Sequence, residues 1–243
     1  MTPSSYHTHT AFCDGKDSPE ALVLEAIRLG CPEIGFSGHA HTAFDESWCM
    51  SVDGTKEYIS CINALKAKYA GQIKVLLGVE QDYFSDAPTE GYDYVIGSVH
   101  YVKKDGVYLP VDESREIQLQ IVKEHYGGDF YAFCEDYFAL VGDVYNKTKC
   151  DIVGHFDLIE KFNEAGDLFD RSSPRYRAAA DAALDRLLQT GAAFEINFGA
   201  VARGCRSEPY PDSRLLEKLK AAHAKLIKTS DCHDKAKLLF GLQ

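Results

Sequence analysis

No two cysteines are spaced as C-x-x-C. The eight (Cys13, Cys31, Cys49, Cys61, Cys134, Cys150, Cys205 and Cys232) stand at wide, irregular intervals, which excludes a zinc ribbon and offers no disulfide framework. Reduced thiols in a cytoplasm are the expectation. The amino terminus, MTPSSYHTHT, lacks the basic-then-apolar signature of a secretory signal, and no apolar run approaches a membrane span. Positive charge is scarce as well: 26 Lys and Arg stand against 37 Asp and Glu, a formal charge of -11. A protein that neutralises a phosphate backbone needs a basic surface, so neither nucleic acid nor an anionic membrane is an expected partner. A small ligand fits better, and an acidic chain can still take a phosphate ester where bound cations reverse the local field. No low-complexity linker divides the 243 residues, of which 45% are apolar and 26% charged. That is the composition of a globular protein, expected as one domain over residues 1–243.

What the sequence does contain is alternation. Short apolar, β-branched runs fall at Ser5 to Thr10, Glu33 to His39, Lys74 to Glu80, Tyr94 to His100, Asp151 to His155, Ala193 to Asn197 and Leu226 to Asp231, giving seven strand candidates. Helical stretches lie between them. Pro19 to Leu29 is opened by Ser18 and Pro19 and closed by Gly30, and Pro174 to Thr190 is closed by Gly191. Repeated βα units predict a parallel sheet buried on both faces, as a barrel or an open sheet. KKDG in Tyr101 to Glu113 predicts a turn between short extended segments. Ser114 to Lys149 reads as mostly helical, interrupted at Tyr126-Gly127-Gly128.

The chemistry is suggested by placement. His9, His39, Glu80, His100, His155, Glu195 and Asp231 each fall at or near the end of a predicted strand. In a parallel α/β barrel all strand C-termini open on one face, so these residues predict a single convergent pocket. In H-T-H, residues two apart share a face, and His7 and His9 can direct ring nitrogens at one ion. Asp14 lies in the loop that follows, and S-D-C-H supplies Asp231 and His233. Histidines mixed with carboxylates suit Zn, Mn or Fe, whereas Mg or Ca would favour an all-oxygen shell. His7, His9, Asp14, His39, Glu80, His100, His155, Asp231 and His233 make nine ligands, more than one ion needs. Two or three ions sharing bridging groups, a common device for hydrolysing phosphate esters, make hydrolysis the leading expectation.

The ordered motifs H-T-H, a downstream Asp, G-H, G-V-E, G-S-V-H, G-H and S-D-x-H resemble those of the polymerase and histidinol phosphatase (PHP) family, from about Tyr6 to the final helix. YDYVIGSVHYV, GHFDLIEKFN and EIN…EPYP resemble its histidinol-phosphatase branch. The resemblance implies a distorted seven-stranded βα barrel, TIM-like, with a trinuclear site at the strand C-termini. Carried over motif by motif, it implies that His7, His9, Glu80 and Asp231 hold one ion, that a bridging Glu80 with His100 and His155 holds a second, and that Asp14, His39 and His233 hold a third. The substrate it implies is L-histidinol phosphate, hydrolysed to L-histidinol in histidine biosynthesis. Lys161 stands near where relatives tend to carry an arginine for the substrate phosphate, so Lys161, Arg203 and Arg206 are the candidate phosphate ligands.

The expected reaction is in-line attack by a metal-bound hydroxide on a phosphate monoester. Asp231, a metal-bound water or a nearby histidine could protonate the leaving oxygen. Trp48, Asp82, Tyr83 and Tyr101 could receive an imidazole and an ammonium group. Cys13 and Cys232 read as packing residues, and His41, His125 and His223 receive no role. Three readings compete: a phosphoesterase for nucleotides or nucleic-acid ends, a C-N hydrolase on a related barrel, and a metal-binding module without catalysis. The sequence says nothing of oligomeric state.

Overall fold

The computed structural model describes residues 2–243. In chain order the elements are α1 (Pro19–Arg28), β1 (Glu33–Phe36), α2 (Val52–Tyr69), β2 (Lys74–Asp82), β3 (Tyr94–Ser98), β4 (Tyr101–Lys104), β5 (Val107–Pro110), α3 (Arg115–His125), α4 (Phe130–Val141), α5 (Val144–Thr148), β6 (Ile152–Val153), α6 (Pro174–Leu188), β7 (Ala193–Asn197), α7 (Gly199–Ala202), α8 (Ser213–Ala221) and β8 (Leu226–Thr229). Local chemistry sets the boundaries. Ser18 Oγ accepts from Ala21 N to cap α1, with Pro19 in its first turn, where a missing N–H is no loss. The expected interruption of the 114–149 stretch falls between α3 and α4, at Gly127 and Gly128. The expected turn after Tyr101 is a two-residue hairpin joining β4 to β5, with Asp105 and Gly106 both at positive φ, the geometry that matches strand twist.

Six strands form one sheet in the order β1-β2-β3-β6-β7-β8, and every pairing in it is parallel. The seventh expected strand, Ser5 to Thr10, is not a strand. It makes isolated parallel bridges to each edge of the sheet, Ser5 with Ile34 and Thr8 with Cys232, so the sheet is curled. Only fragments of a ladder form here: Gly35 N donates to Ser5 O, Ser37 N to Thr8 O, His9 N to Cys232 O and Cys232 N to His7 O, while Thr8 N donates to Ser37 Oγ at 3.0 Å and the Ser5 and Thr8 hydroxyls bond each other at 2.9 Å. The other expected strands stop short of their histidines, β1 three residues before His39 and β3 two before His100, whereas β2 runs two residues past Glu80.

Side-chain alternation along the strands separates support from chemistry. Residues two apart share a face, and one face carries Gly78, Glu80 and Asp82 on β2, Tyr94, Ile96 and Ser98 on β3, and Ala193, Glu195 and Asn197 on β7. Tyr94, Ile96, Ile152 and Ala193 form an apolar cluster, three of them the first residues of their strands. The start of the sheet is thus plugged while its end is polar. The Tyr94 ring lies where a Cβ on Gly78 would stand 2.3 Å from its Cζ, so only glycine fits there. The Tyr94 hydroxyl donates toward the carbonyls of Tyr6 and Phe36. Outside the sheet, Leu22, Phe36, Tyr58 and Ile62 pack under α1 and α2, and Phe133, Tyr137, Tyr176, Leu187 and Leu215 pack under α4, α6 and α8. Each such side chain contributes about 1.5–3 kcal/mol by leaving water. No helix among the described residues is long and apolar enough to cross a membrane.

Candidate metal centre

Glu80 stands at the middle of the polar end. Its Oε2 is approached by His7 Nε2 at 3.1 Å, His9 Nε2 at 3.4 Å and His39 Nδ1 at 3.0 Å. Its Oε1 is approached by His155 Nε2 at 3.0 Å and His100 Nε2 at 3.6 Å, and accepts the Ser98 hydroxyl. Asp231 Oδ1 lies 3.3 Å from His9 Nε2 and 3.6 Å from His7 Nε2. Asp14 reaches His233 Nε2 at 3.1 Å and His39 Nε2 at 3.7 Å. All nine residues named from the sequence as ligands therefore meet in one place. Potential ligand atoms group as His9, Asp14, His39 and His233; as His7, His9 and Glu80; and as His39, Glu80 and His100. His9 and His39 each join two groups, a sharing not expected from the motifs.

These side chains fit divalent ions. His7 Nε2, His9 Nε2, His39 Nδ1 and Glu80 Oε2 are buried and make no hydrogen bond. Each such atom costs about 1–3 kcal/mol when left unsatisfied. Four of them directed at one volume form the donor arrangement of a cation site, and imidazole with carboxylate is a zinc, manganese or iron set. Burial, aided by the like charges of His233 and His39, pushes His9 down to about 3, leaving it in the neutral, ligating form. Burial would raise Glu80, but His7, His39 and His155 hold it well below the usual carboxylate range. Burial would likewise raise Asp231, yet Arg203, His7, His9 and His233 hold it well below its ordinary value.

Two local features deliver Asp231. Its backbone is left-handed, with φ of 47°, a region that Asp tolerates better than most residues. The first residue of α7 is Gly199, where a Cβ would lie 2.4 Å from Asp231 Oδ2; the close approach requires glycine.

The centre opens into a cavity of about 490 Å³ lined by Asp14, His39, Trp48, Tyr101, Asp112, Lys161 and Arg203 among others. Lys161 Nζ donates to the Asp112 carbonyl at 2.7 Å and to Asp112 Oδ2 at 2.9 Å. Arg203 donates to Asp231 Oδ2 at 3.2 Å. Arg206, the third candidate phosphate ligand, lies elsewhere: its side chain is fully buried, donating to the Glu160 carbonyl at 2.7 Å and stacked over Tyr210. Trp48 packs edge-on against His39 with ring centroids 4.5 Å apart, and its Nε1 donates to the Tyr101 hydroxyl. Tyr83 turns away to Asp143. Asp82 lies behind His100 rather than in the cavity, accepting from its backbone N at 2.9 Å and facing Nδ1 at 3.2 Å.

Glu195 stands out in the sequence only for its place in a strand. It is fully buried in mid-strand β7, with Oε1 2.6 Å from His7 Nδ1 and Oε2 accepting from His155 N and Asn197 Nδ2. A signal for this role is present: a carboxylate inside AFEIN, an otherwise apolar run, must be paired when buried. Asp112 escapes a reading of the sequence because nothing in the bend after β5 marks it as the partner of Lys161.

A curled parallel sheet with histidines and carboxylates converging beyond its strand ends defines a metal-binding α/β protein. The chain belongs to the PHP domain family, whose pattern matches residues 5–198. It is 28% identical over 253 residues to the Schizosaccharomyces pombe protein named "Probable histidinol-phosphatase", across 95% of this chain and 80% of that one. The hisK structure from Listeria monocytogenes shares the fold, with TM-score 0.82 at 20% identity over 98% of each chain. The histidinol phosphate phosphatase of Lactococcus lactis, solved with zinc, L-histidinol and phosphate, is similar with TM-score 0.64 at 25% identity, over 96% of this chain and 86% of that one.

Proposed function

We propose that the protein is a metal-dependent phosphatase that hydrolyses L-histidinol phosphate to L-histidinol. The observation that carries this reading is a cluster of six histidines and three carboxylates, Glu80 at its middle, that opens into a cavity with two cations, Lys161 and Arg203, on its wall. The relatives named for this activity, one of them solved with zinc, L-histidinol and phosphate, support it. In this reading residues 1–243 act as one domain, and Ser5 to Thr10, bridged on both sides without forming a strand, takes the place of a seventh strand in closing a distorted barrel.

The ligand set suits three divalent ions drawn from zinc, manganese and iron. His7, His9, Glu80 and Asp231 would hold one, Glu80, His100 and His155 a second, and Asp14, His39 and His233 a third. When bound, such ions lower the pKa of water and offset charge on phosphoryl oxygens. Three of them bring about six positive charges against three carboxylates, so the acidic chain presents a cationic site.

The chain's own residues bind and orient. Lys161 and Arg203 offer charged N–H donors to the phosphate, Lys161 as a point charge and Arg203 as a planar fork. Asp112 keeps Lys161 at the wall through two bonds. Trp48 and Tyr101, joined by a 2.8 Å hydrogen bond, give the alcohol portion an aromatic surface and shield His39 from water.

The test is to purify the protein without chelator, measure bound metals, and assay phosphate release from histidinol phosphate beside nucleotides and sugar phosphates. A preference for histidinol phosphate is expected. A stronger preference for another ester overturns the substrate, and near-zero turnover on every ester at full metal occupancy overturns the phosphatase reading.

A further inference from the structure

Two buried carboxylates beside the centre are outside the ligand set, and each uses both oxygens as acceptors. Glu195 Oε1 faces His7 Nδ1 at 2.6 Å, while Oε2 takes the His155 backbone N–H at 2.9 Å and the Asn197 amide at 3.0 Å. Asp82 Oδ2 takes the His100 backbone N–H at 2.9 Å and faces His100 Nδ1 at 3.2 Å, and Oδ1 takes Phe84 N at 2.8 Å. Both side chains are about 1% exposed or less. In each case the other ring nitrogen, Nε2, is the one turned to Glu80, at 3.1 Å for His7 and 3.6 Å for His100.

We infer that Glu195 and Asp82 are positioning residues that fix the tautomers of His7 and His100, each holding the ring proton on Nδ1 so that the Nε2 lone pair faces Glu80. A neutral imidazole carries one N–H, and an ionised carboxylate can only accept. An acceptor held against Nδ1 therefore settles which nitrogen can ligate, and such partners also raise ligand basicity. The inference rests on the reading that His7 and His100 hold divalent ions.

Glu195 is also not replaceable by its amide. In Glu195→Gln the side chain would have one acceptor oxygen for two sides. If that oxygen faced His155 and Asn197, the NH2 would face His7 Nδ1. His7 would then accept there and carry its proton on Nε2, where an ion should bind. If the oxygen faced His7 instead, two N–H groups would meet an NH2. Removing the His7 ring resolves the conflict, because the amide oxygen can then serve His155 and Asn197 while the NH2 points at vacated space.

The decisive measurement is 15N NMR of the histidine rings in metal-free protein at a pH alkaline enough that both rings are neutral, with zinc affinity measured by competition with a chromophoric chelator. Wild type is expected to show His7 and His100 protonated at Nδ1. Glu195→Gln is expected to move the His7 proton to Nε2 and to weaken zinc binding about 10- to 100-fold, whereas the same change in a His7→Ala background should cost less than about threefold. Asp82→Asn carries the same test at His100, and serves alone if Glu195→Gln does not fold. Unchanged tautomers, or equal zinc losses with and without His7, overturn the inference. Wild type that binds no zinc would instead overturn the metal reading, which the ring spectra of the metal-free protein test separately.

Discussion

Lys161→Met is the most informative single perturbation of the cavity. Two of the three N–H donors of Lys161 are committed to Asp112, at 2.7 and 2.9 Å, leaving one for a ligand. Its side chain is 15% exposed, so the charge is only weakly screened. A hydrogen bond to a charged group contributes about 1.5–3 kcal/mol, which corresponds to roughly 10- to 150-fold in affinity. Methionine keeps the stem and removes the charge. We expect KM for histidinol phosphate and the inhibition constant of inorganic phosphate to rise together by about 10- to 100-fold, with kcat changing less and metal content unchanged. Lys161→Arg, which can still donate to both Asp112 oxygens, should recover most of the loss. The assay is initial rates at fixed metal concentration with phosphate as competitor. Unchanged KM and phosphate inhibition in a fully metallated Lys161→Met would refute the assignment.

Removing divalent ions should lower the melting temperature. An ion present at 100 times its Kd stabilises by about 2.7 kcal/mol, worth roughly 5–10 °C per site for a chain of this length; identical melts with and without chelator count against the centre. Tyr94→Phe takes the hydroxyl from the Tyr6 and Phe36 carbonyls at the apolar end of the sheet. It should cost about 1–3 kcal/mol in denaturant unfolding and leave turnover per folded molecule intact; a large loss of turnover would show that the two ends are not independent. Asp93 accepts from Leu77 N and pairs with Lys66; although burial raises its pKa, these partners bring it below the ordinary value. Stability from that lowering is complete above the unfolded value of about 3.9 and is lost as pH falls through the lower folded value. Its side chain is 37% exposed, which limits the effect to about 1 kcal/mol or less. The melting difference between wild type and Asp93→Asn should accordingly shrink from pH 6 toward pH 3, and a constant difference would argue against it.

Much of this was readable from the chain because the two periodicities differ. Apolar, β-branched runs set off by Gly and Pro marked six strands, and helix starts such as Ser18-Pro19 identified themselves through capping chemistry. The ligand positions were legible for a related reason: a histidine that closes an apolar run, as in VIGSVH or DIVGH, has little packing purpose there. Ser5 to Thr10 misled because Thr8 N donates to the Ser37 hydroxyl instead of a strand carbonyl, and a hydroxyl bond between residues 29 positions apart leaves no local pattern. Arg206 misled for the same reason. Its partner is the Glu160 carbonyl, 46 residues away, and a basic residue in a Gly- and Ser-containing loop otherwise reads as solvated.

The acids show where such reading stops and what lies beyond it. Glu80, Asp82 and Glu195 are all carboxylates on the same face of the sheet, and sequence position alone ranks them equally. Their partners separate them. Glu80 meets ring nitrogens that have no other hydrogen-bonding use, His7 Nε2, His9 Nε2 and His39 Nδ1, as a ligand does. Glu195 and Asp82 meet ring nitrogens whose opposite nitrogen is the one directed inward. A carboxylate that touches the inward nitrogen shares the ion's place, and one that touches the outward nitrogen decides which nitrogen faces inward. Glu80→Gln should therefore remove ion binding outright, because the shared oxygen loses its charge, whereas Glu195→Gln should weaken it through His7. Zinc titrations of the two variants under one buffer distinguish these roles, and equal losses would place Glu195 in the ligand set instead.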